Sequence, residues 1–386
     1  MQHRKLGRLG ADEPPDRGRG SPLGERHTGP VELLWDLVFV FAITQVTALL
    51  AGQLSWPGVG RGLLVLALIW WAWSAFVWAA NAQDPDAWAL RVALLLALVL
   101  IFIAGLAVPG AFGDDGLLFA VTYVGVRLVH LTLYVDASRR GNASLRGIAG
   151  FAFTTLAGMA LLLAGSLVAG ALRAGLWAAA ALIDYAGPIA SRGRLRGMQA
   201  VAVAHFAERY GLFVIICLGE SIVAVGFGAA DHGLDARLLA AVISGLLVTV
   251  GLWWAYFGGV ATAAESRLRS HTDPVLAAAD AYSYLHLVIV AGIIVFAVGI
   301  KKAIGADAVP LATNARLALY GGIALYLAGL AAFRLRIFGS PGRTGLVAIP
   351  LLAALYAVTG GLAAWAVAAT AAMTVVSVAA LESSPP

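Results

Sequence analysis

The sequence predicts an all-α, polytopic membrane protein of about twelve transmembrane helices, with two parallel six-helix repeats as one reading of its internal pattern. Three observations predict it. Of 386 residues, 61% are hydrophobic and only 12% are charged, roughly half the charged share of a soluble domain. Mean hydropathy is +0.87, and apolar runs long enough to span a bilayer recur along the whole chain. The basic residues fall mostly between those runs. The net charge of +5 therefore reads as an orientation signal rather than a nucleic-acid patch, and no nucleic-acid partner is expected. One cysteine, Cys217, excludes a disulfide scaffold.

Residues 1–30 are rich in Arg, Gly and Pro and lack the apolar core of a signal peptide. They read as a disordered basic cytoplasmic tail. A spanning helix needs about 20 mostly apolar residues, and such runs begin near Val31, Gly62, Trp88, Gly116, Gly147, Leu172, Glu208, Ala236, Ala281, Ala315, Gly345 and Gly361. The last two come from one run between Gly345 and Leu381, divided at Gly360-Gly361. Residues 31–198 form a first six-helix half, 199–382 a second, and 383–386 a short C-terminal tail.

Charge bias supports this count, because Arg and Lys concentrate in cytoplasmic loops. With the N-terminus inside, the inner segments hold Arg4, Lys5, Arg8, Arg17, Arg19, Arg26, Arg139, Arg140, Arg146, Arg192, Arg194, Arg196, Arg267, Arg269, Arg334, Arg336 and Arg343. The outer side holds Arg61, Arg173, Arg237, Lys301, Lys302 and Arg316. Seventeen against six favours an even number of spans with both termini in the cytoplasm.

The first and seventh spans each place a Glu at the inner mouth, Glu32 and Glu208. The span after each carries a tryptophan pair, Trp70-Trp71-Ala72-Trp73 and Trp253-Trp254-Ala255-Tyr256. Six spans separate the matching elements, as parallel repeats require. Tryptophan pairs also arise as interfacial belts.

Ionisable groups inside a bilayer are costly, about 2.5–3.5 kcal/mol each at a helix centre on insertion scales, so each needs an explanation. Glu32 and Asp36 lie four residues apart on one helical face, with Ile43 and Thr47 continuing the stripe. They repel each other unless one is protonated or a cation is near; interface anchoring is the other reading. His205, Arg209, Ile216 and Glu220 fall within about 60° on the seventh span. Glu220, next to Ser221, lies roughly 18 Å beyond Glu208, at or past the midplane. It reads as a proton or ion relay, or as a protonated acid bonding a neighbouring helix. Arg127 and His130 share a side of the fourth span, with Asp136 at its inner end. Asp184, Tyr185 and Pro188 lie on the sixth span, and Asp280 and His286 on the ninth. Arg127, near mid-depth, calls for a carboxylate among Glu32, Asp36, Asp184, Glu208 and Glu220. A structural network of buried ion pairs satisfies the same facts.

Motifs for other chemistries are missing. The sequence has no His-Glu-x-x-His, no phosphate-binding Gly-x-x-x-x-Gly-Lys and no Gly-x-Ser-x-Gly. No cofactor or metal is expected.

Two stretches carry a family resemblance. Glu32-Leu33-Leu34-Trp35-Asp36-Leu37-Val38-Phe39-Val40-Phe41-Ala42-Ile43-Thr44-Gln45 and His205-Phe206-Ala207-Glu208-Arg209-Tyr210-Gly211-Leu212-Phe213-Val214-Ile215-Ile216-Cys217-Leu218-Gly219-Glu220-Ser221 resemble the signatures of the bacterial low temperature requirement A family. Leu34 and Trp35 stand where that pattern usually has aromatic residues before its Asp. The resemblance implies a multi-pass protein of the bacterial inner membrane, linked by name to growth in the cold. It points to Glu32, Asp36, His205, Glu208, Arg209, Gly219 and Glu220.

The leading functional expectation is a secondary transporter or proton-coupled permease, with the signature spans facing each other across a central cavity open to the cytoplasm. Glu220 would be the midplane proton or cation site, Glu32 and Asp36 the inner-mouth acids, His205 and His130 the titrating groups, and Arg209 and Arg127 the partners of carboxylates or of an anionic substrate. Its partners would be the lipid bilayer and a small molecule or ion. A lipid-modifying enzyme using His205 or His130 as base, oriented by Asp36 or Glu208, is a second reading, though it lacks a nucleophile. A membrane scaffold or sensor is a third.

Overall fold

A computed structural model describes residues 28–83, 87–141, 143–195, 202–230, 232–306 and 309–383. The expected basic tail over 1–27, Arg196 and residues 384–386 lie outside the described residues.

Each apolar run becomes a helix, and local chemistry sets its ends. In α1 (Pro30–Gly52), Pro30 occupies the first turn and the Gly29 N–H donates to the Glu32 carboxylate at 3.0 Å. The Ser55 side chain caps α2 (Trp56–Asn81) by accepting from the Gly58 N–H. There follow α3 (Trp88–Ala107), α4 (Gly116–Arg139), α5 (Leu145–Ser166), α6 (Gly170–Ala190) and the single turn α7 (Arg192–Leu195). The second half opens with α8 (Val203–Ala229) and α9 (Ala236–Phe257), the latter capped by Asp235 on the Leu238 N–H at 2.7 Å. Next come α10 (Val260–Arg269) and α11 (Pro274–Ala278), capped by Asp273 on the Leu276 N–H. A π-helical turn, Ala279–Leu285, runs from α11 directly into α12 (His286–Gly305). Then α13 (Thr313–Phe338) ends at Gly339 in the left-handed region, φ 76°. The chain finishes with α14 (Arg343–Val358) and α15 (Ala364–Ser383).

Among the described residues, ten helical segments are long and apolar enough to cross a membrane, against the twelve expected. The two that differ have clear reasons. Arg173 and Asp184 lower the hydropathy of the 21-residue α6, and α14 has only 16 residues with Pro350 inside. The division expected at Gly360-Gly361 falls in the turn between α14 and α15.

In the first half α1 packs on α2 and α3, α3 on α4, α4 on α5, α5 on α6, and α6 returns to α2. In the second half α8 packs on α9 and α12, α12 on α13, α13 on α14, α14 on α15, and α15 returns to α9. The halves meet where α1 and α2 lie against α8 and α12. The tryptophan pairs differ in setting: Trp70 and Trp71 are buried, while Trp253 and Trp254 are 41% and 45% exposed.

The helices α12 and α13 pack closely, backbone against backbone. Gly292 and Gly299 on one, and Gly322 and Gly329 on the other, repeat every seven residues and face the opposing backbone. A Cβ on Gly329 would stand 2.9 Å from the Ile289 nitrogen, and one on Gly322 would meet the Phe296 backbone.

Candidate functional site

The spacing of Glu32 and Asp36 puts both carboxylates on the face of α1 that meets α8, and the i, i+4 pair His205 and Arg209 answers from α8. Arg209 Nη2 and Nε donate to Asp36 Oδ1 and Oδ2 at 2.6 and 3.1 Å, and Nη1 lies 3.0 Å from Glu32 Oε1. His205 Nε2 and Glu32 Oε2 are 2.9 Å apart. From α2, Trp73 Nε1 donates to Asp36 Oδ1 at 2.8 Å. All four ionisable side chains are buried, Asp36 and His205 with no exposed surface. The cation that two neighbouring carboxylates require is Arg209. Two carboxylates share the one guanidinium, and His205 is the second partner of Glu32. The signature spans thus face each other and are clamped by ion pairs at this level.

Eleven residues along α8 from Arg209, about 16 Å, Glu220 meets the same helix α1. Its Oε2 lies 2.6 Å from Thr44 Oγ1, and the Thr47 hydroxyl is beside it. Glu220 is 5% exposed, and among the described residues no Lys, Arg or His lies within ion-pair distance of it. Ser221 is fully buried, and its Oγ has no hydrogen-bond partner among the described residues.

A second cluster lies outside the signatures. Of the five acids considered for Arg127, the fold supplies Asp184: Arg127 Nη2 reaches both Asp184 oxygens at 2.9 and 3.0 Å and Thr155 Oγ1 at 3.2 Å. Thr155 in turn donates to Asp184 at 2.7 Å. Arg127, His130 and Thr155 line a cavity between α2, α4, α5, α6, α11 and the π-helical turn. Its other walls are largely aromatic: Trp71, Trp78, Tyr134, Phe151 and Tyr284. This cavity lies beside the signature spans and is walled by elements of both halves.

A family model for the bacterial low temperature requirement A protein (LtrA) matches residues 27–380. The chain belongs to the LtrA family. It is also 31% identical over 306 residues to an uncharacterized protein of Rhizobium meliloti (strain 1021), a match that covers 77% of this chain and 75% of that protein. No solved structure matches the chain. The family match encloses both signatures and the Arg127–Asp184 cluster, so every buried ion pair described above lies within the LtrA region.

The remaining sequence-derived candidates in this LtrA chain sit elsewhere. Glu208, half-buried, is 100° around α8 from Arg209 and lies outside the α1–α8 clamp. Asp136 pairs with Arg140 within its own helix end. Asp280, in the π-helical turn, takes Arg192 and, at 3.0 Å, Arg336. His286 is fully buried in an aromatic cage. Its Nδ1 is 2.9 Å from the Ala281 carbonyl, which only accepts, so Nδ1 carries the hydrogen; its Nε2 is 2.7 Å from the Tyr256 hydroxyl. That bracket holds the wide turn rather than joining either cluster. Sequence reasoning does not place three contributors in the site: Trp73, which it reads only as part of a tryptophan motif, Thr44, which it reads only as part of the first signature, and Thr155. Nor does it place the hydroxyl chain of Ser74, Tyr210 and Ser283, with Trp78 donating to Ser283. Indoles and hydroxyls are ordinary in spanning helices, so only their partners mark them.

Proposed function

We propose that this LtrA protein is a secondary transporter of the bacterial inner membrane, a proton-coupled permease with both termini in the cytoplasm, in which Glu220 is the coupling carboxylate. The observation that carries the reading is the contrast between its acids. Glu32 and Asp36 are held by Arg209 and His205, and Asp184 by Arg127, whereas Glu220 hydrogen-bonds to hydroxyls and, among the described residues, has no cation within ion-pair distance, Lys301 acting on it from further off. A carboxylate without an ion-pair partner in an apolar interior is tolerated when it carries a proton or binds a cation, which is the property a coupling site uses.

Thr44 supplies a hydrogen-bond arrangement for both states. Its single hydroxyl hydrogen has two acceptors within reach, Glu220 Oε2 at 2.6 Å and the Val40 carbonyl at 3.1 Å. With Glu220 ionised, Thr44 donates to it. With Glu220 protonated, the acid donates to Thr44 Oγ1 and Thr44 turns its hydrogen to Val40. Neither state leaves a buried polar group unpaired. The matching helix pairings of the two halves support a parallel six-helix repeat, an architecture found among secondary transporters.

The test is proton flux into proteoliposomes of purified protein under an imposed membrane potential. Glu220→Gln is expected to abolish flux while the protein stays folded, and Asp36→Asn to reduce it through loosening of the α1–α8 clamp. Undiminished flux in folded Glu220→Gln would overturn the assignment.

A further inference from the structure

Arg127 is buried to 2% exposure, yet only Nη2 is used by Asp184 and Thr155. Its Nε and Nη1 have no hydrogen-bond partner among the described residues, and neither has Nδ1 of His130, which is equally buried. A guanidinium in an apolar interior with two donor nitrogens unused is a costly arrangement unless something accepts from them. Both residues line the cavity whose walls are Trp71, Trp78, Phe151 and Tyr284. Its lining combines apolar walls with a few convergent polar groups, as small-molecule sites do.

A cluster of charges adjoins two of the residues that line the cavity. Ala279 and Pro188 line it; the residue after Ala279 is Asp280, and Arg192 lies one turn beyond Pro188. Asp280 is shared by Arg192 and Arg336, so two guanidinium groups meet one carboxylate there. Two guanidinium groups against one carboxylate leave net positive charge, which attracts anions.

We infer that this cavity binds a monocarboxylate with an apolar or aromatic body, the carboxylate accepting from Arg127 and His130 and the body lying among the tryptophans and Phe151. Arginine donors suit carboxylate oxygens, and stacked or edge-on aromatic walls suit a planar ring. The inference extends the transport reading by naming a substrate class, and rests on it only for the claim that the ligand is carried.

The experiment is isothermal titration calorimetry of the purified full chain in detergent micelles with phenylacetate, with phenylacetamide as the uncharged analogue and acetate as the headgroup alone. Phenylacetate is expected to bind saturably and at least about tenfold more tightly than either control, a difference of roughly 1.4 kcal/mol. Arg127→Gln is expected to remove the preference for the acid over the amide. Because that change leaves Asp184 without its cation and endangers folding, Ala75→Phe is the second variant. It fills the cavity, leaves the ion pair intact and is expected to abolish binding with an unchanged unfolding temperature. Equal binding of acid and amide, no saturable phenylacetate binding, or unchanged binding in Ala75→Phe would each overturn the site. Saturable binding in a preparation without proton flux would overturn the transport reading and leave the site standing. Flux that depends on Glu220 without carboxylate binding would do the reverse.

Discussion

Arg209 is the residue on which the contact between α1 and α8 turns. It holds Asp36 through two nitrogens and Glu32 through the third, with all three side chains 5% exposed or less. Arg209→Leu leaves two buried carboxylates with only His205, and is expected to destabilise the protein by about 3–5 kcal/mol. Asp36→Leu combined with Arg209→Leu removes both charges of the tighter pair and keeps His205 with Glu32, so the double variant should lose less than Arg209→Leu alone. Thermal unfolding in detergent measures all three; simple addition of the two single losses would show that the residues do not share one contact. The same cluster shows what is readable at this scale. Acids and an arginine in apolar runs announce themselves because burial without a partner is expensive, so Glu32, Asp36, His205 and Arg209 are conspicuous in the sequence alone. The partner of Arg127 is not, because five acids satisfy the same need and only the approach of α4 to α6 selects Asp184. Thr44 and Trp73 carry no signal of their own: a hydroxyl bonded to its own helix, or an indole in an apolar run, looks the same with or without a carboxylate opposite.

At the scale of elements, hydropathy locates the helices but not their starts. The expected beginnings at Gly62 and Ala281 fall well inside segments that open at Trp56 and Pro274. In both cases a polar cap followed by proline, Ser55-Trp56-Pro57 and Asp273-Pro274, begins the helix ahead of its apolar core. The charges of α6 and the short α14 likewise separate helix formation, which local propensity permits, from spanning by hydropathy alone. The glycines of α12 and α13 are legible as residues but not as an interface, because their meaning lies in the backbone opposite. Gly322→Leu drives a side chain into the Phe296 backbone and the Gly292 carbonyl oxygen, and is expected to destabilise by about 3 kcal/mol or more. At its neighbour Gly321, an added Cβ would meet only a Leu317 methyl, 3.7 Å away. Gly321→Ala should therefore be neutral or stabilising by up to about 1 kcal/mol. The fraction of protein eluting as a folded species after stepwise heating compares the two; equal tolerance would show that α12 and α13 do not touch through this face.

For the whole molecule, the side of the membrane on which each later loop lies depends on whether α6 crosses. Its hydropathy argues against crossing, but hydropathy counts Arg173 and Asp184 as though each stood alone. In the fold neither does. Arg173 donates to the carbonyls of Val168, Ala111 and Gly113 at 2.9, 3.0 and 2.5 Å, and Asp184 is paired with Arg127. With both charges satisfied, a 21-residue helix about 31 Å long matches a bilayer core of about 30 Å. It also packs along α5 and α2, and its Tyr185 hydroxyl donates to the Ala67 carbonyl of α2 at 2.7 Å. Crossing by α6 puts the α8–α9 loop outside and the α10–α11 loop inside when the N-terminus is cytoplasmic; failure to cross exchanges the two. Single cysteines introduced at exposed Gly233 and Ser270 separate these cases in a Cys217→Ala background, where the native buried thiol is removed. A membrane-impermeant maleimide is expected to label Gly233→Cys in intact cells and Ser270→Cys only after permeabilisation. The opposite pattern would mean that α6 stays on one side or that the N-terminus is outside, and labelling of a cysteine at Ser144, before α5 and α6, tells these apart. Protection of Ser144→Cys in intact cells fixes the N-terminal half, so a reversed Gly233 and Ser270 pattern would then rest on α6 alone.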